Sequence, residues 1–111
     1  MTPEEIVRAN FDAYRNQDRA ACEALLSDEF VFTSPQDDHL DRQTFFERCF
    51  PTAERFSRHE LIHVVHAGDG DVFVLYEYDL ATGGTYRNAE VITVADERIV
   101  EAQVFFGGQV G

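Results

Sequence analysis

The sequence predicts an α+β domain: three short N-terminal helices followed by a four-strand antiparallel meander. Three observations carry this. Apolar residues recur at helical spacing as far as about residue 50, and with a period of two from about Arg58. A side chain suited to capping precedes each helical stretch. Three turn signals, Gly68-Asp69-Gly70, Gly83-Gly84 and Asp96-Glu97, divide the second half.

The first helix begins with Thr2 as N-cap, Pro3 in the first turn and Glu5 completing a capping box. Ile6, Val7, Phe11 and Tyr14 form one face, and Asn10 lies on that face a turn before Tyr14. Asn16-Gln17-Asp18 interrupts the pattern. Asp18 then caps a second helix whose inner stripe is Ala21, Cys22, Leu25 and Leu26. Glu29–Thr33 reads as a short strand ended by Ser34-Pro35, and Gln36–Leu40 as a polar loop. Asp41 caps a third helix over roughly 42–50, which buries Phe45, Phe46, Cys49 and Phe50 and stops at Pro51. The strands of the meander are placed at 58–67, 71–80, 85–95 and 98–106. With 111 residues and no linker or repeat, residues 1–111 form a single domain.

Composition narrows the function. The chain carries 21 acidic and 9 basic side chains, a net charge of −12, and every basic residue is Arg. This balance argues against a nucleic-acid partner, because phosphate binding needs clustered cations. No apolar run approaches the ~20 residues of a membrane span. The opening MTPEEIVR places two Glu where a secretory leader would be basic. Two cysteines, Cys22 and Cys49, suit a reduced, cytoplasmic setting better than a disulfide framework. The absence of Lys removes Schiff-base chemistry and leaves carboxyl, imidazole and phenol as the acids and bases.

If Gly83-Gly84 is a two-residue hairpin loop, paired residue numbers in that hairpin sum to about 167. One face then carries Phe73, Leu75, Glu77, Asp79, Asn88, Glu90, Ile92 and Val94, with Glu77 opposite Glu90. Such a like-charged pair in a half-buried cavity would keep one carboxyl protonated near neutrality, ready to donate a hydrogen bond to a carbonyl or oxyanion. The plainer reading puts both at a solvent rim or paired with Arg87. Both sheet faces hold apolar residues. Helices cover one, and a second copy of the chain is the simplest cover for the other, which predicts a homodimer through the sheet face. A monomer kept wet by exposed Tyr hydroxyls is the competing reading.

The stretches Asp18–Phe32 (DRAACEALLSDEFVF) and Arg98–Gly107 (RIVEAQVFFG), with the overall element order, resemble the SnoaL-like and ketosteroid-isomerase-like branch of the nuclear transport factor 2-like superfamily. Asp38-His39-Leu40-Asp41-Arg42 followed by Cys49-Phe50-Pro51 resembles a subgroup of SnoaL-like proteins. The resemblance implies a cone-shaped curved antiparallel sheet packed on the three helices around an apolar cavity. It says little of chemistry, because this fold hosts many activities and non-catalytic binders. Ketosteroid isomerases use an Asp base and an oxyanion hole of Tyr and a protonated Asp. By resemblance the base position falls on Ser34, the Tyr position near Asn10 and the protonated acid on Glu90. One role of three is kept in kind, so true ketosteroid isomerase activity is not expected. For the last hairpin, a two-residue Asp96-Glu97 loop would set Gln103 beside Glu90. A three-residue loop would point Ala102, Val104 and Phe106 inward, and the family pattern favours it.

Asp38 and His39 follow the first strand, where this fold opens its cavity, and an oriented imidazole there is a reasonable acid–base pair. His59, His63 and His66 do not make a metal site on a strand, because His59 and His63 are ~13 Å apart and His66 points the other way. Cys49, among Phe45, Phe46 and Phe50, reads as an inert core thiol.

The leading expectation is a cofactor-independent acid–base enzyme acting on a small, largely apolar carbonyl or polyketide-like molecule. Glu90, His39 and Asp38 are its catalytic candidates. Tyr14, Asn10, Glu77, Phe106 and Val104 are its pocket candidates, and no metal is assigned. A non-catalytic ligand binder of the same fold is the second expectation. A dimerisation module whose cavity is filled by its own aromatics is the third, since the chain has ten Phe.

Overall fold

A computed structural model describes residues 1–111. All three predicted caps form. Thr2 Oγ1 accepts from Glu5 N at 3.1 Å and Glu5 Oε1 accepts from Thr2 N at 2.8 Å, starting α1 at Pro3–Arg15. Asp18 accepts from Ala21 N at 3.1 Å for α2, Arg19–Leu25. Asp41 accepts from Thr44 N at 2.8 Å for α3, Arg42–Arg48. The third helix is α-helical only to Arg48. A 3₁₀ segment, Phe50–Arg55, carries the chain past Pro51, which sits in its first turn where no N–H is needed.

Two strands lie between α2 and α3, β1 Leu26–Ser34 and β2 Asp37–Asp41, and four follow the helices: β3 Phe56–Gly68, β4 Asp71–Leu80, β5 Thr85–Ala95 and β6 Arg98–Gln109. They form one sheet in the order β2-β1-β6-β5-β4-β3. The segment expected as a polar loop is therefore a strand, β2, which folds back on β1 through the turn after Ser34. The sheet is mixed rather than wholly antiparallel: β1 runs parallel to β6, with the rest of the chain as their crossover. No helix is long and apolar enough to cross a membrane.

The β4–β5 hairpin differs most from expectation. Asp79 pairs with Thr85 and Tyr78 with Tyr86, so residues 80–84 form a five-residue loop. Gly83 N donates to Leu80 O at 2.9 Å, and Leu80 N donates to Gly84 O at 3.1 Å. Gly83 and Gly84 both take positive φ, the freedom the pair was expected to supply. The longer loop moves β5 by three residues, which exchanges its two faces. Glu77 is therefore opposite Arg87, and Glu90 is opposite Val74.

The last hairpin combines both expected forms. Asp96 and Glu97 make a two-residue turn, each with positive φ, and Ala95 pairs with Arg98. A bulge then inserts Val100, so Thr93 pairs with Glu101 and Glu90 with Val104. Val104, not Gln103, lies beside Glu90.

The inner face carries Val72, Val74, Tyr76, Glu90, Ile92 and Ala102, all buried. They pack against Ile6, Val7 and Phe11 of α1 and, beyond the sheet centre, Phe46 and Phe50. Each fully buried aliphatic side chain contributes roughly 1.5–3 kcal/mol relative to exposure, so helices and sheet stabilise each other through this layer. Near the open end the layers separate.

Candidate functional site: an apolar cavity with one buried acid

Between the helices and the inner sheet face lies a cavity of about 580 Å³, within the range that accommodates small organic ligands. Aromatic and aliphatic side chains make most of its wall. Its only carboxylates are Glu90 and Asp37.

Glu90 sits on the inner face of β5, 9% exposed, between Val74 and Val104 on the neighbouring strands. Burial pushes its carboxyl up from 4.5 to about 7, and the neighbouring Tyr76 hydroxyl offsets part of that rise. At neutral pH a large share of Glu90 is the neutral acid, a hydrogen-bond donor in an apolar wall. Tyr76 is itself held well above its ordinary value by burial, so its hydroxyl stays protonated. Asn88 Nδ2 donates to that hydroxyl at 3.3 Å. Glu90, Tyr76 and Asn88 thus form one polar cluster in the otherwise apolar sheet floor.

The helices supply the opposite wall. The Tyr14 hydroxyl lies 2.6 Å from Thr52 Oγ1, which donates to Cys49 O at 2.6 Å, so Tyr14 is the donor of the first bond. Burial raises Tyr14 to about 12 against the lowering effect of Thr52. Asn10 lines the cavity and accepts from the Cys22 thiol at 3.1 Å. His59 stacks on Tyr76 with ring centroids 4.8 Å apart. Burial, then the Arg15 charge, lowers its imidazole to about 4, so it is neutral.

The structure brings five of the eight expected site residues together: Glu90, Tyr14, Asn10, Val104 and Phe106 all line the cavity, with Phe106 half exposed at its edge. Three lie elsewhere. Asp38 and His39 do hydrogen-bond, Nδ1 to Oδ1 at 2.6 Å, but they are 95% and 68% exposed and neither lines the cavity. The strand alternation of β2 turns Asp37 inward instead, where it accepts from Ser34 Oγ at 2.9 Å. Glu77 lies on the outer face, bonded to Arg58 at 2.6 Å and Arg87 at 3.0 Å, and these two guanidiniums hold its carboxyl below the usual range. The Arg87 pairing expected of it as a structural residue is present.

Asp37, His59 and Tyr76 were not expected in the site, and Asn88 was expected on the Glu90 face without being named as a site residue. The alternation Val72-x-Val74-x-Tyr76 on β4 and Asn88-x-Glu90-x-Ile92 on β5 was the available signal. That signal is incomplete, because Asn88 and Glu90 make the β5 side polar, and the five-residue loop decides the register. His59 had no such signal, because three irregularities in β3–β4 pairing decide which way it faces. Cys49 lines the cavity as a thiol raised to about 11, chiefly by burial. No three His, Cys, Asp or Glu side chains converge as a metal ligand set.

The model of the SnoaL-like domain matches residues 7–102. The chain belongs to the SnoaL-like family. Among solved structures, this SnoaL-like protein is similar to one from Kribbella flavida (TM-score 0.81, 16% identity, 92% of this chain and 84% of that one). An NTF2-like protein of unknown function from Mesorhizobium loti gives a TM-score of 0.79 at 25% identity, over 96% and 91% of the two chains. An LEH-like epoxide hydrolase from M. tuberculosis gives 0.76 at 18% identity, over 94% and 81%. At these identities the likeness establishes the fold. No curated protein matches the chain.

Proposed function

We propose that this SnoaL-like protein binds a small, largely apolar carbonyl compound in its cavity and carries out cofactor-independent acid–base chemistry on it. The observation that carries the reading is Glu90, a buried carboxyl on an apolar cavity wall, about half protonated at neutrality and mostly so below it. A neutral acid there donates a hydrogen bond to a carbonyl oxygen and strengthens it as negative charge develops. Tyr76 and Asn88 orient the acid. Asp37, the cavity's other carboxylate, takes the base role in place of the exposed Asp38–His39 pair. The LEH-like epoxide hydrolase among the structural relatives supports an enzymatic use of this fold without assigning that reaction here.

The test uses an enolisable bicyclic ketone, 2-indanone, in D₂O, with α-deuteration followed by NMR. Exchange above the buffer rate, lost in Asp37→Asn and reduced in Glu90→Gln, is the expected result. Binding without exchange would leave a ligand-binding module, and neither binding nor exchange would overturn the reading.

We further propose that a second copy covers the outer sheet face. Val65, Phe73 and Val91 form one registered row there, and Phe105 lies next to it. Phe73 and Phe105 are 49% and 53% exposed, which is unusual for a face left in water. Sedimentation should give a dimer at micromolar concentration, and a stable monomer would contradict this.

A further inference from the structure

The cavity's apolar walls say nothing of which end of a ligand faces out, but its rim does. Arg48 and Arg55 both line the cavity and are exposed at its edge. Four other arginines are ion-paired: Arg15 with Asp12, Arg19 with Glu23, Arg58 with Glu60, Glu77 and Asp79, and Arg87 with Glu77. Arg8 and Arg98 lie outside the cavity lining and have no acidic partner. Arg42 donates to Glu23 O at 2.9 Å and lies over the Phe46 ring. The guanidiniums of Arg48 and Arg55 have no acidic partner at ion-pair distance, in a chain with 21 acids to 9 bases. What sets Arg48 and Arg55 apart is position: they are the two arginines of the cavity lining, and no carboxylate neutralises either one there.

Their fields reach inward. Among the charges that act on the Cys49 thiol, Arg48 opposes the rise caused by burial and by Asp37. Arg55 likewise acts on the Tyr14 hydroxyl against burial. Asp37 is the one acid on the cavity wall near this edge, and it is held by Ser34. The rim therefore carries two positive charges to one negative, above a wall dominated by Phe and Tyr rings.

We infer that the ligand is an aromatic or alicyclic carboxylic acid, its apolar body in the cavity and its carboxylate between Arg48 and Arg55. This rests on the ligand-binding reading above and specifies its substrate class. Guanidinium forks match a planar carboxylate and bind it through charge-assisted hydrogen bonds. The net charge of −12 disfavours a carboxylate over most of the rest of the surface. The deep end remains available for a second oxygen, met by Glu90.

The experiment compares 2-naphthoic acid with 2-naphthamide by calorimetry at pH 7.5 in 150 mM salt, where long-range repulsion is screened beyond ~8 Å. The acid should bind the wild-type protein about tenfold more tightly than the amide. In the Arg48→Gln/Arg55→Gln double variant the ratio of the two affinities should fall to about one. Equal affinities in the wild type, or an acid preference that survives in the double variant, would overturn the carboxylate assignment while leaving the ligand-binding reading intact. Binding of neither compound would overturn both.

Discussion

Replacing Glu90 by Gln should change the pH dependence of stability more than stability itself. In the folded protein the carboxyl ionises near 7, against 4.5 when unperturbed. Each tenfold change in proton affinity is worth about 1.4 kcal/mol, so keeping Glu90 ionised in the fold costs about 3 kcal/mol. Between pH 4.5 and 7 the native state binds the proton that the unfolded chain has lost. Stability from this group is therefore greatest below about pH 5, falls as pH rises through 7, and is level above about pH 8. The Gln variant cannot ionise, so it lacks this fall. Relative to wild type it should gain about 2.5 kcal/mol on going from pH 5 to pH 9, since the unfolded carboxyl is already largely ionised at pH 5. With an unfolding entropy of ~2 cal/mol/K per residue, that is a relative shift in Tm on the order of 10 °C. Thermal unfolding followed by circular dichroism at both pH values measures it. The polar burial cost of the amide is present at both, so it cancels. The same variant-to-wild-type difference at pH 5 and pH 9 would refute the reasoning.

Other parts of the structure give further predictions. His39→Ala and Glu77→Gln should leave the affinity for 2-naphthamide within about twofold of wild type, because neither residue lines the cavity; a tenfold loss in either would contradict the placement. At pH 8 the Cys49 thiol, raised by burial to about 11 from 9.0, should react with a disulfide reagent at least about a hundredfold more slowly than a free thiol, and Cys22, at about 12, more slowly still. Gly70→Ala should lower stability by roughly 2 kcal/mol or more in denaturant melts. Its φ is +82°, and a Cβ there would collide with the Val94 carbonyl oxygen.

The helical half was legible because its determinants are local. Thr2, Asp18 and Asp41 are each within three residues of the N–H they accept from, so sequence spacing alone specifies the bond. The sheet was legible as strands but not as register. A loop of five residues rather than two between β4 and β5 carries Glu90 away from Glu77 and sets it against Val74. Glu90 was still found, because the family resemblance placed it at an acid position independently of the hairpin. Which β4 residue lies beside it depends on the register, so Tyr76 was missed, whereas Asn88, two residues away on the same strand, shares its face in any register. Asp38 is the acid named from sequence because the segment reads as a loop, in which facing is undetermined. As strand β2 its alternation selects Asp37. The bulge at Val100 let a two-residue turn coexist with an inward Val104, a combination that turn length alone does not predict.

The central claim is that Glu90 is a protonated acid on the cavity wall. A ¹³C NMR pH titration of the glutamate side-chain carboxyls, with the Glu90 signal assigned by its loss in Glu90→Gln, tests it most directly. The account predicts a midpoint near 7 for that one signal. A midpoint near the ordinary 4.5 would show that the carboxyl is hydrated and ionised at neutrality, and would contradict the proposed hydrogen-bond donor.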